Sequence, residues 1–243
     1  SLTVILDRTE SRIDLHRQQH ITAISPHGII PVSLGFAGLG DEMKQIFGKL
    51  RLVIATASSA VPFISDIVSW VGSVDASHGA IDRSMRHGTN LAIAPGGIAE
   101  MFEGFPKELR HPNEEVIIAR KGIMRMAIRH GVPIVPVFCF GSSRLLKRLQ
   151  LPNWIEQLSL MLRASFVVFF GRCGLPIPFQ QRFLYVMGEP IAPPSIPAPD
   201  MLDAATLNKH AAEMRERFCE EMVRVFDRYK ESYGWHNKHL VIL

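Results

Sequence analysis

Cysteine is scarce in this 243-residue chain, and the three present, Cys139, Cys173 and Cys219, lack paired spacing. Neither a disulfide framework nor a zinc site is indicated, so we expect a reducing compartment. Long apolar runs are also missing, because no stretch of about 18 uncharged apolar residues occurs. The chain opens with Ser1-Leu2-Thr3-Val4, without a basic and then apolar segment, and we expect no signal peptide.

An excess of one charge sign is absent too. The chain has 27 Lys and Arg against 23 Asp and Glu, a net charge of +4. This charge is too small to indicate a nucleic-acid partner, and it fits an anionic substrate or an anionic membrane surface equally well. The composition, 47% hydrophobic and 21% charged, excludes a disordered tail and a coiled coil. We expect a single domain over residues 1–243.

Several familiar motifs are missing. No G-x-x-x-x-G-K-[ST] phosphate loop occurs, and Gly35, Gly38 and Gly40 have the wrong offsets for a dinucleotide fingerprint. No G-x-S-x-G elbow of a serine hydrolase is present. No two histidines have a spacing that indicates a metal site, so we expect no metal.

Apolar runs alternate with amphipathic segments along the chain. Residues 52–74, the longest apolar stretch, we interpret as a buried strand followed by a helix, with a membrane-dipping segment as the alternative. The alternation predicts an α/β domain with a central, mostly parallel sheet flanked by helices. Strands are predicted at residues 20–25, 51–56, 90–94, 133–140, 166–170 and 182–187, and helices at residues 77–87, 120–130, 154–163 and 207–229.

The first candidate site is Ser25-Pro26-His27-Gly28, directly after a predicted buried strand. Open α/β sheets place their chemistry at the carboxyl ends of strands. Imidazole is the side chain best suited to taking a proton from an alcohol near neutral pH. The alternative is that His27 only caps a turn.

The second candidate is Pro95-Gly96-Gly97-Ile98-Ala99-Glu100, again just past a strand. Paired glycines allow close backbone approach, and their N–H groups can bind an anion. Glu100 is a candidate to orient the histidine or a substrate hydroxyl. An ordinary loop is the alternative.

The third candidate is Arg120-Lys121-Gly122, which opens a predicted helix. Two cations at a helix N-terminus can bind a phosphate-bearing ligand. A solvated surface pair is the alternative.

Four ordered motifs resemble the type 2 diacylglycerol acyltransferases, which include monoacylglycerol and wax ester acyltransferases. Further matches follow at Gly171-Arg172, at residues 186–191 and at residues 226–234, so the resemblance covers residues 20–234. The four motifs are Pro26-His27-Gly28, residues 95–100, Arg120-Lys121-Gly122-Ile123 through His130-Gly131, and residues 136–141.

This resemblance implies the glycerolipid acyltransferase fold and a membrane-associated enzyme. Such an enzyme moves a fatty acyl group from acyl-coenzyme A, a co-substrate, to the free hydroxyl of diacylglycerol, without a cofactor. It implies the cytosolic face of the endoplasmic reticulum or a lipid droplet, with a plastid also possible. Another acceptor (a monoacylglycerol, or a long-chain or phytyl alcohol) and a non-catalytic lipid-binding relative remain alternatives.

The resemblance also assigns roles within the motifs. His27 is implied as the general base acting through Nε2, with Glu100 orienting it, because the aspartate that the wider superfamily places five residues later is Val32 here. Backbone N–H groups at Gly28, Gly96 and Gly97 are candidate oxyanion donors. Pro26 lies in the loop of His27 and Gly28 and is a candidate substrate-binding residue. Arg120 and Lys121 are candidates to bind the phosphates of coenzyme A.

The sequence departs from the family at two places. Its first motif begins with Ser25 where the family usually has histidine, and the family's N-terminal membrane hairpin and early Tyr-Phe-Pro motif are absent from the chain. Diacylglycerol and acyl-coenzyme A partition into or onto bilayers, so membrane contact is predicted at residues 154–163, an amphipathic stretch near Arg144, Lys147 and Arg148. A core-packing helix is the alternative for this stretch. Cys139 is predicted to be buried and structural.

Overall fold

The computed structural model describes residues 2–7, 15, 17–29, 45, 50–56, 66, 70, 72–97, 99–100, 113–149, 151–162, 168–196 and 202–243. The strands in these ranges are β1 Leu2–Leu6, β2 Ile21–Ser25, β3 Leu50–Ile54, β4 Val74–Asp75, β5 Asn90–Ile93, β6 Glu114–Ile117, β7 Ile134–Phe140, β8 Lys147–Arg148, β9 Phe169–Phe170, β10 Phe183–Met187 and β11 His239–Ile242. The α-helices in these ranges are α1 His78–Arg86, α2 Lys121–His130, α3 Asn153–Leu162 and α4 Ala204–Tyr233.

A central sheet of seven strands has the order β1-β10-β7-β2-β5-β3-β4. Every neighbouring pair is parallel except β10 and β7, so β2 lies between two parallel neighbours, β7 and β5. Outside this sheet, β11 pairs in parallel with β6, and β8 pairs with β9. The predicted α/β class with a mostly parallel central sheet is confirmed.

The longest helix, α4, supplies much of the core on one face of the sheet. Its buried side chains recur at spacings of three and four, as predicted, and pack together with α2 and β7. Asp203 caps its first turn by accepting from the backbone N–H groups of Ala205 and Thr206, and Gly234 ends it in the left-handed region. The helix has 30 residues and is longer than predicted. Its buried residues are Leu207, Ala211, Met214, Phe218, Met222, Val225 and Phe226.

Some predicted elements differ from the structure. The strand predicted at residues 166–170 is described only as the short β9, and residues 163–167 lie outside the described residues. Most of the helix predicted within residues 52–74 lies outside them as well. Strands β1, β4, β6, β8 and β11 were not predicted. Within the described ranges, no helix is both long and apolar enough to cross a membrane.

Candidate active site

The carboxyl ends of three adjacent parallel strands meet at one edge of the sheet. Pro26, His27 and Gly28 follow β2, and residues 94–100 follow β5 on one side of it. Gly141 and Ser142 follow β7 on the other side. The structure therefore brings together the first two predicted motifs, at the edge where open α/β sheets place their chemistry.

His27 is held by the backbone of the second motif. Its side chain is nearly buried, with 5% of the residue exposed, and Nε2 lies 2.8 Å from the carbonyl oxygen of Gly97. A carbonyl only accepts, so Nε2 donates this hydrogen bond and Nδ1 carries the lone pair. Nδ1 is buried and has no hydrogen-bond partner among the described residues. The free lone pair is therefore on Nδ1, which corrects the sequence-based choice of Nε2 as the basic atom.

Glu100 lies on the same side of the imidazole as Gly97. Its Oε2 is 3.6 Å from His27 Nε2, and the residue is 2% exposed. This distance places Glu100 beside the imidazole but beyond hydrogen-bond distance, and its role in orienting the histidine stays a prediction. Both oxygens of the carboxyl group are buried without a hydrogen bond within ordinary distance from the described residues.

Burial controls the charge of both groups. Desolvation raises the pKa of Glu100 to about 8, against a smaller opposing effect from the backbone N–H groups of His27 and Ile118. Repulsion from Glu115 adds to the rise. Desolvation lowers the pKa of His27, with the carbonyls of Gly97 and Gly28 partly opposing it. Near pH 7 the carboxyl group and the imidazole are therefore both mainly uncharged.

The predicted role of Gly97 as an oxyanion donor is not supported by its contacts. The N–H of Gly97 donates to the carbonyl of Ala94 at 3.2 Å, within the turn that follows β5. Its carbonyl accepts from His27 and also from the backbone N–H of Glu100, at 3.1 Å. Gly97 therefore positions the histidine through its carbonyl.

Gly28 and Gly96 permit close packing at this edge. Gly28 has a φ of +75°, and a Cβ there would lie 2.6 Å from the carbonyl oxygen of Ser142. A Cβ on Gly96 would lie 2.8 Å from Cβ of Glu100 and 3.0 Å from Cβ of Ile118. Both predicted glycines are thus required for the approach of neighbouring segments.

Sequence reasoning missed Ser142 as part of this region. Ser142 is buried, directly follows β7 and packs against Gly28. The available signal was Gly141-Ser142-Ser143 after the most apolar predicted strand. Because this tripeptide fits no elbow motif, it was not counted as a site.

Arg120 and Lys121 are near the site in the chain but face solvent. Arg120 precedes α2, Lys121 is its first residue, and both are exposed. They follow Ile118, which packs against Gly96. The role of Arg120 and Lys121 toward phosphates stays a prediction.

Two further candidate residues, Ser25 and Cys139, are both buried in the fold. Ser25 is buried, and its hydroxyl lies close enough to Glu100 to favour the charged carboxylate slightly. Cys139 is buried on β7, and burial raises the pKa of its thiol far above the usual range, which supports its predicted structural role. Among the described residues, no group of His, Cys, Asp and Glu side chains is arranged to hold a metal ion.

Replacing Gly96 tests the packing of this edge. We expect Gly96→Ala to lower the free energy of unfolding by about 1–3 kcal/mol, because the new methyl group overlaps Glu100 and Ile118. Chemical denaturation measures the change. Gly79→Ala in α1 is the control, since a Cβ there meets nothing within 4 Å. Equal effects of the two substitutions would contradict the close packing.

Together, fold and site define a class of protein: an α/β domain that buries a histidine beside a carboxyl group at the carboxyl edge of a mostly parallel sheet. Such a pair is suited to transferring a proton in a site that is shielded from bulk water. The chain belongs to the diacylglycerol acyltransferase family, whose model matches residues 4–243.

Individual relatives agree with this family. The chain is 24% identical to acyl-CoA wax alcohol acyltransferase 1 of Mus musculus over 93% of this chain and 70% of that protein. It is also 24% identical to diacylglycerol O-acyltransferase 2 of Homo sapiens, over 90% of this chain and 59% of that protein. The chain thus spans about three fifths of the length of the human relative.

One solved structure is also similar, the 1-acyl-sn-glycerophosphate acyltransferase PlsC from Thermotoga maritima. It is 15% identical and aligns over 90% of this chain and 72% of that chain, with a TM-score of 0.46. This likeness is too distant to support any statement about function.

Proposed function

We propose that this chain is an acyl-CoA-dependent O-acyltransferase that transfers a fatty acyl group to the free hydroxyl of diacylglycerol, forming triacylglycerol. The observation that carries the proposal is the buried His27, whose Nε2 is fixed on the Gly97 carbonyl while Nδ1 keeps a lone pair. Family membership supports acyl transfer as the reaction class.

The proposed reaction transfers the acyl group from the thioester to the acceptor in one addition–elimination sequence at the carbonyl carbon. His27 Nδ1 takes the proton of the acceptor hydroxyl while the hydroxyl oxygen attacks the thioester carbonyl carbon. The tetrahedral intermediate then expels the thiolate of coenzyme A, which receives the proton from His27. An ester and free coenzyme A result, and no covalent acyl-enzyme is needed.

Glu100 contributes when the imidazole becomes charged. A buried imidazolium without a counter-charge is costly, and a carboxylate 3.6 Å from its ring offsets that cost. The ionised form of Glu100 is therefore the one that supports the transfer. Arg120 and Lys121 are proposed to bind the phosphates of acyl-coenzyme A from the exposed start of α2.

A wax alcohol is the second candidate acceptor, because the wax alcohol acyltransferase of Mus musculus and the human diacylglycerol acyltransferase match the chain at the same identity. An acceptor panel separates the two. The purified protein receives one labelled acyl-coenzyme A with diacylglycerol, monoacylglycerol, a long-chain alcohol or phytol. The highest kcat/KM is expected with diacylglycerol, and a higher value with a long-chain alcohol would replace it as the acceptor.

A lipid surface is the proposed site of action, at the endoplasmic reticulum or a lipid droplet. Two exposed apolar side chains lie on α3, Trp154 and Met161, with 65% and 73% exposed. Nearby, the backbone N–H of Leu149 donates to the carbonyl of Val168 at 2.8 Å, and both side chains are exposed. Exposed Trp154 favours an interfacial helix over the core-packing alternative.

Liposome flotation tests this surface. We expect the protein to bind anionic liposomes more strongly than neutral ones. This difference in binding should largely disappear when Arg144, Lys147 and Arg148 are changed to Gln. Each cation near an anionic surface contributes about 1 kcal/mol. Arg83→Gln, Arg86→Gln and Arg129→Gln together remove the same charge from α1 and α2 and serve as the control. Equal, weak binding to both liposomes in every variant would contradict the proposed surface.

A further inference from the structure

The segment between β7 and β10, residues 141–182, carries all of the excess positive charge and more than half of the exposed apolar side chains. It has six Lys and Arg against one Glu, a net charge of +5, whereas the whole chain has +4. Six of the eleven large apolar side chains that are exposed among the described residues lie in it. They are Leu149, Trp154, Met161, Val168, Leu175 and Ile177. Exposed apolar groups among cations fit an anionic lipid surface.

Residues 171–178 follow β9 and form the apolar loop of this segment. Every residue from 172 to 178 is exposed, and Leu175 and Ile177 are 53% and 49% exposed. Two exposed cations border these side chains. Arg172 belongs to the loop itself, and Lys147 Nζ lies 5.6 Å from the ring centroid of Phe179, the residue after the loop. The loop therefore presents apolar side chains with positive charge beside them.

The backbone of the apolar loop makes most of its hydrogen bonds internally. The N–H of Gly171 donates to the carbonyl of Leu175 at 2.6 Å, and the N–H of Arg172 donates to the carbonyl of Ile177 at 2.8 Å. The N–H of Leu175 donates in turn to the carbonyl of Arg172 at 3.1 Å. Ile177 stands between two prolines, which have no N–H group. Few donors of this loop need water, which lowers the cost of placing it in lipid.

A short buried segment joins the apolar loop to the catalytic edge. The N–H of Phe179 donates to the carbonyl of Leu145 at 2.8 Å. Leu145 is buried and lies three residues after Ser142, whose carbonyl packs against Gly28. Gly28 directly follows His27. A bilayer that takes up the loop is therefore close to the edge of the sheet that carries the histidine.

We propose that the apolar loop inserts into an anionic bilayer, with Leu175 and Ile177 in the acyl region and Arg172 and Lys147 at the headgroups. The inference rests on the proposed site of action, a lipid surface, and adds the point of insertion. Long cationic side chains suit this position, because their stems contact apolar groups while their charged ends stay in water. Insertion holds the catalytic edge at the surface in which diacylglycerol dissolves.

The native Cys173 provides a reporter inside the loop. It is exposed and Cys139 is buried, so Cys219→Ala leaves Cys173 as the accessible thiol. An environment-sensitive fluorophore on Cys173 is mixed with vesicles of phosphatidylcholine and phosphatidylserine, or of phosphatidylcholine alone. With the mixed vesicles, its emission should shift to the blue and become shielded from a water-soluble quencher.

The matched control carries the same fluorophore on Cys219 of α4, in the variant Cys173→Gly. Glycine is the suitable replacement, because Cys173 has a φ of +56°. The emission of this control should not change with either kind of vesicle. Equal blue shifts at both positions would overturn the apolar loop as the point of insertion.

Removing the two apolar side chains tests the same contact without a label. Leu175→Ser combined with Ile177→Ser should lower the affinity for the mixed vesicles about tenfold or more, because both side chains lose their transfer into lipid. Leu6→Ser combined with Leu243→Ser is the control, since these residues are 45% and 46% exposed but lie on β1 and after β11. Circular dichroism checks the fold of both variants. Wild-type affinity in the loop variant would overturn the proposal.

Further outcomes separate this inference from the proposed function. Flotation with vesicles while the Cys173 signal stays unchanged overturns the loop and leaves the lipid surface standing, and no flotation with either vesicle overturns both. A blue shift that grows with protein concentration without vesicles identifies a second copy of the chain as the partner and overturns the proposal. Insertion by a protein that releases no coenzyme A thiol supports the loop and contradicts acyl transfer.

Discussion

Replacing His27 with alanine is expected to lower kcat for acyl transfer about 10²- to 10⁴-fold while the protein stays folded. The imidazole has a buried lone pair on Nδ1, and the contact of Nε2 with the Gly97 carbonyl fixes its orientation. Ester formation from labelled acyl-coenzyme A measures the rate, and circular dichroism checks the fold.

Two variants control the His27 experiment. His210→Ala removes a histidine on α4 that pairs with Glu213 on the helix surface, and it should leave the rate unchanged. Ser25→Ala should have a mild effect, because a hydroxyl cannot replace an imidazole as base. Near-wild-type turnover in a folded His27→Ala protein would refute the mechanism. A larger loss from Ser25→Ala would point to an acyl-serine intermediate instead.

Glu100 is expected to make the rate of acyl transfer depend strongly on pH. Burial raises the pKa of Glu100 to about 8, so the carboxyl group is largely protonated at neutral pH and ionises as the pH rises. The ionised form compensates the imidazolium that forms during the transfer, and burial lowers the pKa of His27, which favours the neutral imidazole as the resting form. The rate should therefore rise with pH and level off above the pKa of Glu100.

Glu100→Gln should remove this rise and lower kcat more than it raises KM. The amide keeps the volume of the side chain but cannot compensate the imidazolium. Rates are measured from about pH 6 to about pH 9.5, with spontaneous thioester hydrolysis subtracted. Glu213→Gln, on the exposed surface of α4, should retain the wild-type profile. If Glu100→Gln changes only the affinity for acyl-coenzyme A, the residue belongs to substrate binding.

The strands that carry the site were predictable because each is an apolar run that Pro or Gly terminates. This pattern located β2, β5 and β7, and the loops after β2 and β5 contained His27 and Glu100. The pairing of β6 with β11 was not predictable. Strand β6 begins with two glutamates, and Glu115 accepts a hydrogen bond from Lys238, which is 123 positions away in the chain.

Within the site, the sequence predicted which residues take part but not which of their atoms make each contact. The choice between Nδ1 and Nε2 depends on where the turn after β5 points the Gly97 carbonyl, which no residue pattern specifies. The same turn uses the Gly97 N–H internally and so removes it as an oxyanion donor. Ser142 was missed because its place beside Gly28 results from the pairing of β2 with β7.

The most direct measurement is the release of coenzyme A thiol by the purified protein, with and without diacylglycerol, in wild type and His27→Ala. We expect thiol release that depends on the acceptor, with one ester formed for each thiol, and the loss of this release in His27→Ala. Binding of acyl-coenzyme A without thiol release under any acceptor condition would contradict the account and identify a non-catalytic lipid-binding protein.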